Sequence, residues 1–347
     1  MAVYTTIDKP SDYFETVLYT GTGSTQSITS LDFQPDWVWG KTRNDTQDHQ
    51  IIDSVRGATK LLATNGTAVE FTDTNNLTSF NSNGFTVGSS GGINGSSDTL
   101  VTWCWKAGGS ASSNSNGSIT STVSASTDSG FSIVKWTGNG SNPSTVGHGL
   151  GAVPKMIITK RISGDTASWH SYHAGIGNAY DIYLNGANAK ASDTSWNSTT
   201  PTSSVFTVNG ANVNVSGAPY IAYCFADVKG FSKFGSYVGN GNADGTFVYT
   251  GFSPAFVIVK RTDAVESWFL YDNKRNAHVG NERYYVLKPN TADAENTTYS
   301  DNWQMDFLSN GFKLRTTAGH LNSGNLIYMA FAENPFVTST GVPACAR

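Results

Sequence analysis

The chain has 347 residues, with 22 Lys and Arg against 26 Asp and Glu, a formal net charge of −4, 38% hydrophobic and only 14% charged residues. That balance, with no basic run anywhere, excludes a sequence-independent grip on nucleic-acid phosphates, and no apolar stretch approaches the roughly 18 to 20 residues of a membrane helix. The first ten residues lack the basic and apolar regions of a signal peptide, so the expectation is a soluble protein made in a cytoplasm, its surface built largely of Gly, Asn, Ser and Thr.

From the N-terminus, the alternating segment Phe14 to Tyr19 runs into Thr20-Gly21-Thr22-Gly23 and reads as strand, turn, strand. Phe33 to Arg43 contains Pro35, the apolar run Trp37-Val38-Trp39 and then Lys41 and Arg43: a turn, a buried strand and a charged exit. A short run, His49 to Val55, carries Asp53 followed three residues on by Arg56. Phe80 to Val87 places Asn83-Gly84 between alternating apolar residues, a hairpin signal. Leu100-Val101-Thr102-Trp103-Cys104-Trp105 is apolar at nearly every position and predicts a central strand covered on both sides.

After Ala107 to Gly130, a Gly/Ser/Asn/Thr stretch that reads as a mobile linker or loosely held loop, the pattern restarts twice. Phe131 to Trp136 and Phe234 to Tyr237 repeat the opening strand; Pro154 with Lys160 and Pro254 with Lys260 repeat the proline strand. Trp169 to His173 and Trp268 to Asp272 repeat the short run, and Asp272 with Arg275 matches Asp53 with Arg56, whereas the middle copy has Tyr172-His173-Ala174. Phe307 to Leu314 repeats the Asn-Gly hairpin; Ser204 to Val208 holds that place without Asn-Gly, so its turn must differ. Tyr220 to Ala226 and Ile327 to Ala332 repeat the closing strand. The prolines lie 119 and 100 residues apart, and Trp105, Phe225 and Phe331 lie 120 and 106 apart, so two independent markers keep one register.

Helical candidates are short, at 10–14 and 291–295. The predicted fold class is therefore all-β, three tandem homologous β-sandwich domains: 1–106, a linker at 107–130, 131–228, 229–333 and a tail at 334–347. The three either share one arrangement or lie in a row; 227–230 joins the second to the third so briefly that those two should pack closely. Cys104 and Cys224 hold equivalent places in two repeats and read as buried free thiols rather than a disulfide; Cys345 lies in the tail.

Convergent chemistry is sparse. No nucleophile elbow, phosphate loop, zinc-binding His pair on a helix or repeated carboxylate pair appears, so no catalytic residue, cofactor or metal is assigned. His170 and His173, three apart in an extended segment, face opposite sides and do not make a metal site. With Trp169 they read instead as an exposed aromatic and imidazole platform for a sugar. Lys41, Lys160 and Lys260 are either three anion sites or, the favoured reading, charged strand ends that guard a sheet edge, with Asp53 and Asp272 as available partners. Trp37, Trp39, Trp103, Trp105 and Trp303 are placed in the core.

The repeated signature, in Phe33-Gln34-Pro35-Asp36-Trp37-Val38-Trp39, Ser82 to Gly88, Thr102-Trp103-Cys104-Trp105-Lys106, and Lys233 to Tyr237 through Val248 to Phe252, resembles structural proteins of marine bacteriophages and cyanophages, of the tail-fibre or SPRY-like tail type. The resemblance spans essentially the whole chain. It implies a virion component built of jelly-roll or SPRY-lectin-like sandwiches, but carries no catalytic or binding residues with it. The function it implies is a non-enzymatic tail fibre or adhesin subunit that contributes to host-surface glycan attachment, with a capsid decoration or head-fibre protein as the alternative and a polysaccharide depolymerase behind both. The implied partners are other virion proteins, host polysaccharide and further copies of the chain, as a trimer, with no nucleic acid and no membrane insertion.

Overall fold

The computed structural model describes residues 4–276 and 280–344. Val, Ile and aromatic side chains at alternate positions drive nearly all of the regular structure into strands. The only helical elements among the described residues are a 3-10 turn, Pro10–Asp12, and three helices of four residues, Gly91–Asn94, Gly210–Val213 and Gly319–Asn322. The expected helical turn at 291–295 does not form.

Three large antiparallel sheets share one strand order. The first runs Phe14–Thr20, Thr99–Trp105, Trp37–Thr42, Gln50–Asp53, then Lys60–Ala63 and Phe71–Thr72. In the second, Phe131–Thr137, Pro219–Phe225, Met156–Arg161 and His170–His173 hold the same places, with further strands on both sides; in the third, Ser232–Asn240, Ser323–Pro335, Phe252–Arg261 and Trp268–Asp272 do. Equivalent residues keep equivalent registers: Trp37 lies opposite Trp105, Met156 opposite Phe225 and Phe256 opposite Phe331.

Each large sheet is buried on both faces, which is why its central strands lack polar alternation. One face packs on a smaller sheet. In the first sheet Val38, Leu100 and Cys104 meet Ile28, Phe85 and Val87 there; corresponding clusters form under the second and third. The other faces of all three sheets converge on a single core that includes Trp37, Trp39, Trp103, Trp105, Phe131, Ile158, Tyr223, Phe225, Phe256 and Phe331. The closing-strand aromatics meet in it, with ring centroids 5.6 Å apart for Trp105 and Phe331 and 6.1 Å for Phe225 and Phe331. Trp37 stacks on Tyr223 at 4.6 Å, and Phe14 on Phe331 at 5.1 Å.

Several expectations need correction. The stretch 107–130 is not a linker: it forms Ser112–Asn114 and Ser121–Ser126, which extend the second large sheet. Ile119 and Val123, buried among the second sheet's apolar residues, supply the driving force that a count of Gly and Ser conceals. The Asn-Gly pairs do mark hairpins, but the glycines are not turn residues. Asn81 pairs with Gly84 and Leu308 with Gly311, so the two-residue loops are 82–83 and 309–310. A Cβ on Gly84 would lie 1.8 Å from the Ile28 carbonyl oxygen, and one on Gly311 2.1 Å from that of Val248, so close approach of the neighbouring strand demands glycine at both positions. Val205–Val208 pairs with Ser144–Gly147 instead of a hairpin partner. The tail is folded through residue 344, with Val337 bridging Pro343 and Ser339 N donating to Asp8 Oδ1 at 2.6 Å. Cys104 and Cys224 are buried free thiols, and Cys345 lies outside the described residues.

Candidate functional site

The sugar platform expected at Trp169, His170 and His173 is not at the surface. Their relative exposures are 0%, 5% and 1%. His170–His173 is an interior strand of the second sheet, so each side chain turns into packed protein. Trp169 Nε1 donates to the Ala63 carbonyl at 2.8 Å, and His170 Nδ1 bonds the Asp181 carboxylate, itself pushed upward in pKa by burial. His173 Nε2 bonds the Tyr328 carbonyl at 3.2 Å, while its Nδ1 accepts from Gly175 N at 3.0 Å. Burial depresses its pKa to about 4, so it is neutral.

These residues belong to a ring of junctions that ties the three sheets together. Asp53, in the first, accepts the Tyr223 hydroxyl of the second at 2.7 Å and Arg56 Nε at 2.5 Å. Asp272, in the third, accepts Trp103 Nε1 of the first at 3.0 Å and Arg275 Nε at 2.5 Å. The second-to-third junction has a different chemistry because the place of Tyr223 and Trp103 is taken by Met329, which has no donor. There the acid is replaced by His173 and the arginine by Ile176, so no carboxylate is buried without a partner.

Lys41, Lys160 and Lys260 are likewise buried, at 0%, 1% and 0% exposure, so the reading as charged edge guards is overturned. Nor do they pair with Asp53 or Asp272, which are committed to Arg56 and Arg275. Each ammonium is held by backbone carbonyls: Lys41 by Thr42 and Asp45 at 2.7 and 3.1 Å, Lys160 by Thr67 at 2.8 Å and Ala167, Lys260 by Ala187 at 2.9 Å and Glu266. Thr67 and Ala187 belong to loops of the preceding sheet, so two of the lysines also staple neighbours together. Burial lowers all three pKa values to about 8.

Sequence reasoning missed Asn94, Asn214 and Asn322. Each is buried and donates from Nδ2 to a glycine-rich turn, to Ser24, Ser141 and Asn242 carbonyls, all at 2.7 Å. Their Oδ1 atoms accept Thr22, Asn139 and Asn240 N–H groups from the same turns. Their spacings, 120 and 108 residues, match the repeat register and were the available signal.

The surface feature best shaped for a ligand is a groove of three adjoining cavities, about 500, 420 and 320 Å³. The first two share Thr127 and Asp128, and the last two share Tyr4, Asp227 and Lys229. The walls come from the N-terminal segment and from the passages where the chain leaves one large sheet for the next. Tyr4 donates its hydroxyl to the Gly251 carbonyl at 2.8 Å, and Lys233 Nζ donates to the Tyr249 carbonyl at 2.9 Å. Within the groove a lysine stands over a tyrosine ring in three places: Lys106 over Tyr13 at 5.4 Å, Lys229 over Tyr4 at 4.5 Å and Lys233 over Tyr249 at 5.2 Å. Tyr249 is 50% exposed. Burial, and then the charges of Asp128 and Asp12, raise the Tyr13 pKa and keep its hydroxyl a donor. Tyrosine faces, ammonium donors, the exposed carboxylates of Asp128 and Asp227 and the hydroxyls of Thr6 and Thr127 make a surface for a polyhydroxylated chain, with the buried Asp36 carboxylate behind it. Another polar cleft, about 480 Å³ between Ser253, Phe307, Asn310 and Glu333, has one aromatic face only. Lys233 and Tyr249 lie in strands and Gln34, Asp36 and Lys106 beside them, but the groove joins segments from both ends of the chain, which is why pattern reading passed over it.

Comparison with curated proteins and with solved structures returns no match. Comparison with protein families matches residues 9–335 to the Domain of unknown function (DUF7483), and the chain therefore belongs to that family.

Proposed function

We propose that the protein is a non-enzymatic structural component of a phage particle, a tail fibre or adhesin subunit that contributes to host attachment by holding surface glycan in the tyrosine-lined groove. The observation that carries this reading is the groove itself, where Tyr4, Tyr13 and Tyr249 line three adjoining cavities together with hydroxyl and carboxylate groups. Tyrosine faces stack on sugar rings while the polar groups take hydroxyl hydrogen bonds, and neither task needs a catalytic pair.

The platform under the groove favours the same reading. We take the chain to be three copies of one β-sandwich, since the strand order, the Lys and Asn contacts and the junction positions recur at one register. Three copies around one aromatic core make a rigid block suited to the outside of a particle, and the sequence resemblance to phage tail proteins points the same way. Co-sedimentation of the purified protein with polysaccharide from a susceptible host tests attachment: binding that Tyr249→Ala abolishes is expected, and failure to bind any host glycan would remove this reading. Immunogold labelling of particles tests location, with label at the tail expected; label confined to the capsid would favour a decoration protein.

A further inference from the structure

We propose that the groove is selective for an acidic polysaccharide, one whose sugars carry carboxylate or sulfate groups; this rests on the groove being a glycan site. The reason is the repeated pairing of lysine with tyrosine. All three cavities contain such a pair, and two of the pairs join sequence-distant residues, 13 with 106 and 4 with 229, while 233 and 249 are 16 residues apart. A neutral glycan needs only an open ring face, whereas an ammonium over the opposite face or beside the ring adds a partner for an anionic substituent on the stacked sugar.

The chain carries a formal net charge of −4, so polyanions are repelled by the molecule as a whole and the groove lysines are a local exception. Three carboxylates line the groove, and Asp36 among them is buried and already accepts the Ser54 hydroxyl and the Ala107 and Gly109 N–H groups. Asp227 accepts Phe234 N at 2.9 Å and lies beside Lys155 and Lys233, which offset its charge. Asp128, on the exposed turn between the cavities, is left to accept sugar hydroxyls. Lys229 is exposed and Lys106 and Lys233 are half-buried, so each side chain is reachable from solvent, Lys233 while also donating to the Tyr249 carbonyl.

Affinity electrophoresis through gels containing polygalacturonate, dextran sulfate or neutral dextran tests this with the intact protein. Retardation by at least one of the two polyanions is expected, weakening as salt rises, with little retardation by dextran; which polyanion acts separates carboxylate from sulfate recognition. Lys106→Gln, Lys229→Gln and Lys233→Gln combined should weaken polyanion binding about tenfold, while Lys60→Gln, outside the groove, should leave it unchanged. Thermal midpoints equal to the parent's would confirm that the variants fold. Host glycan bound undiminished by the triple variant, or dextran bound as well as the polyanions, would overturn the acidic selectivity and leave the glycan site standing. No binding to the host glycan or to any of the three gels would remove both.

Discussion

At the scale of single residues, the three junctions show how one change compels others. His173, Ile176 and Met329 stand where the other junctions carry acid, arginine and a hydrogen-bond donor, and reverting one alone conflicts with the rest. His173→Asp should bury a carboxylate with neither the tyrosine or tryptophan donor nor the arginine of the other junctions and cost about 3 to 5 kcal/mol, measured by chemical denaturation. Adding Ile176→Arg and Met329→Tyr should recover most of that loss; a triple variant no more stable than the single one would refute the coupling. His173 also makes stability depend on pH. Its folded pKa of about 4 lies below the usual 6.5, so the unfolded chain binds the proton first and stability present above pH 6.5 is lost as pH falls toward 4. The full span corresponds to about 3 kcal/mol. His173→Gln, which keeps a donor and an acceptor without titrating, should flatten the decline in melting temperature between pH 7 and 5. The identities of these residues were legible in the sequence, but their burial was not. Trp169 to His173 reads equally well as a loop platform or an interior strand, because what decides between them is the neighbouring sheet packed against it.

At the scale of elements, the short strands are specified locally and held by what approaches them. The hairpin around Asn83-Gly84 was legible, since a tight two-residue loop joins Asn81 to Gly84. The reason for the glycine was not, because it lies in the strand 26–28, far away in sequence. Gly84→Ala should therefore cost more than the roughly 1 kcal/mol typical of a backbone effect, since its Cβ would meet the Ile28 carbonyl at 1.8 Å. Gly57→Ala, with a φ of +102° but nothing within 4 Å, should cost only the backbone strain. Differential scanning calorimetry of the two variants makes the comparison, and equal costs would contradict the steric account. The buried asparagines act on the same scale: Asn322→Ala leaves the turn at 240–242 without its latch and should cost about 2 kcal/mol, with earlier proteolysis at that turn. The stretch 107–130 misled for the opposite reason. Its composition is that of a linker, and two well-placed apolar residues, Ile119 and Val123, outweigh it.

At the scale of the whole molecule, the shared core makes the three sheet systems dependent on one another. Fragments 1–106, 131–228 and 229–333, expressed alone, would each expose an aromatic face to water, and circular dichroism is expected to find them unfolded or aggregated while the intact chain melts in one transition. A fragment that folds alone would argue against the shared core as the main source of stability. By itself the sequence determined the all-β class, the register of Trp105, Phe225 and Phe331, and the free thiols, because each depends on local alternation, turn chemistry or counting. Only the tertiary structure decided that the sheets close around a common core, that the recurring lysines are buried, and that Tyr4, Tyr13 and Tyr249 line one groove. Those outcomes depend on contacts between segments far apart in the chain, from 73 residues for Lys260 with Ala187 to 247 for Tyr4 with Gly251, and the burial or exposure that results is set by the partner surface, which no single stretch of the chain contains.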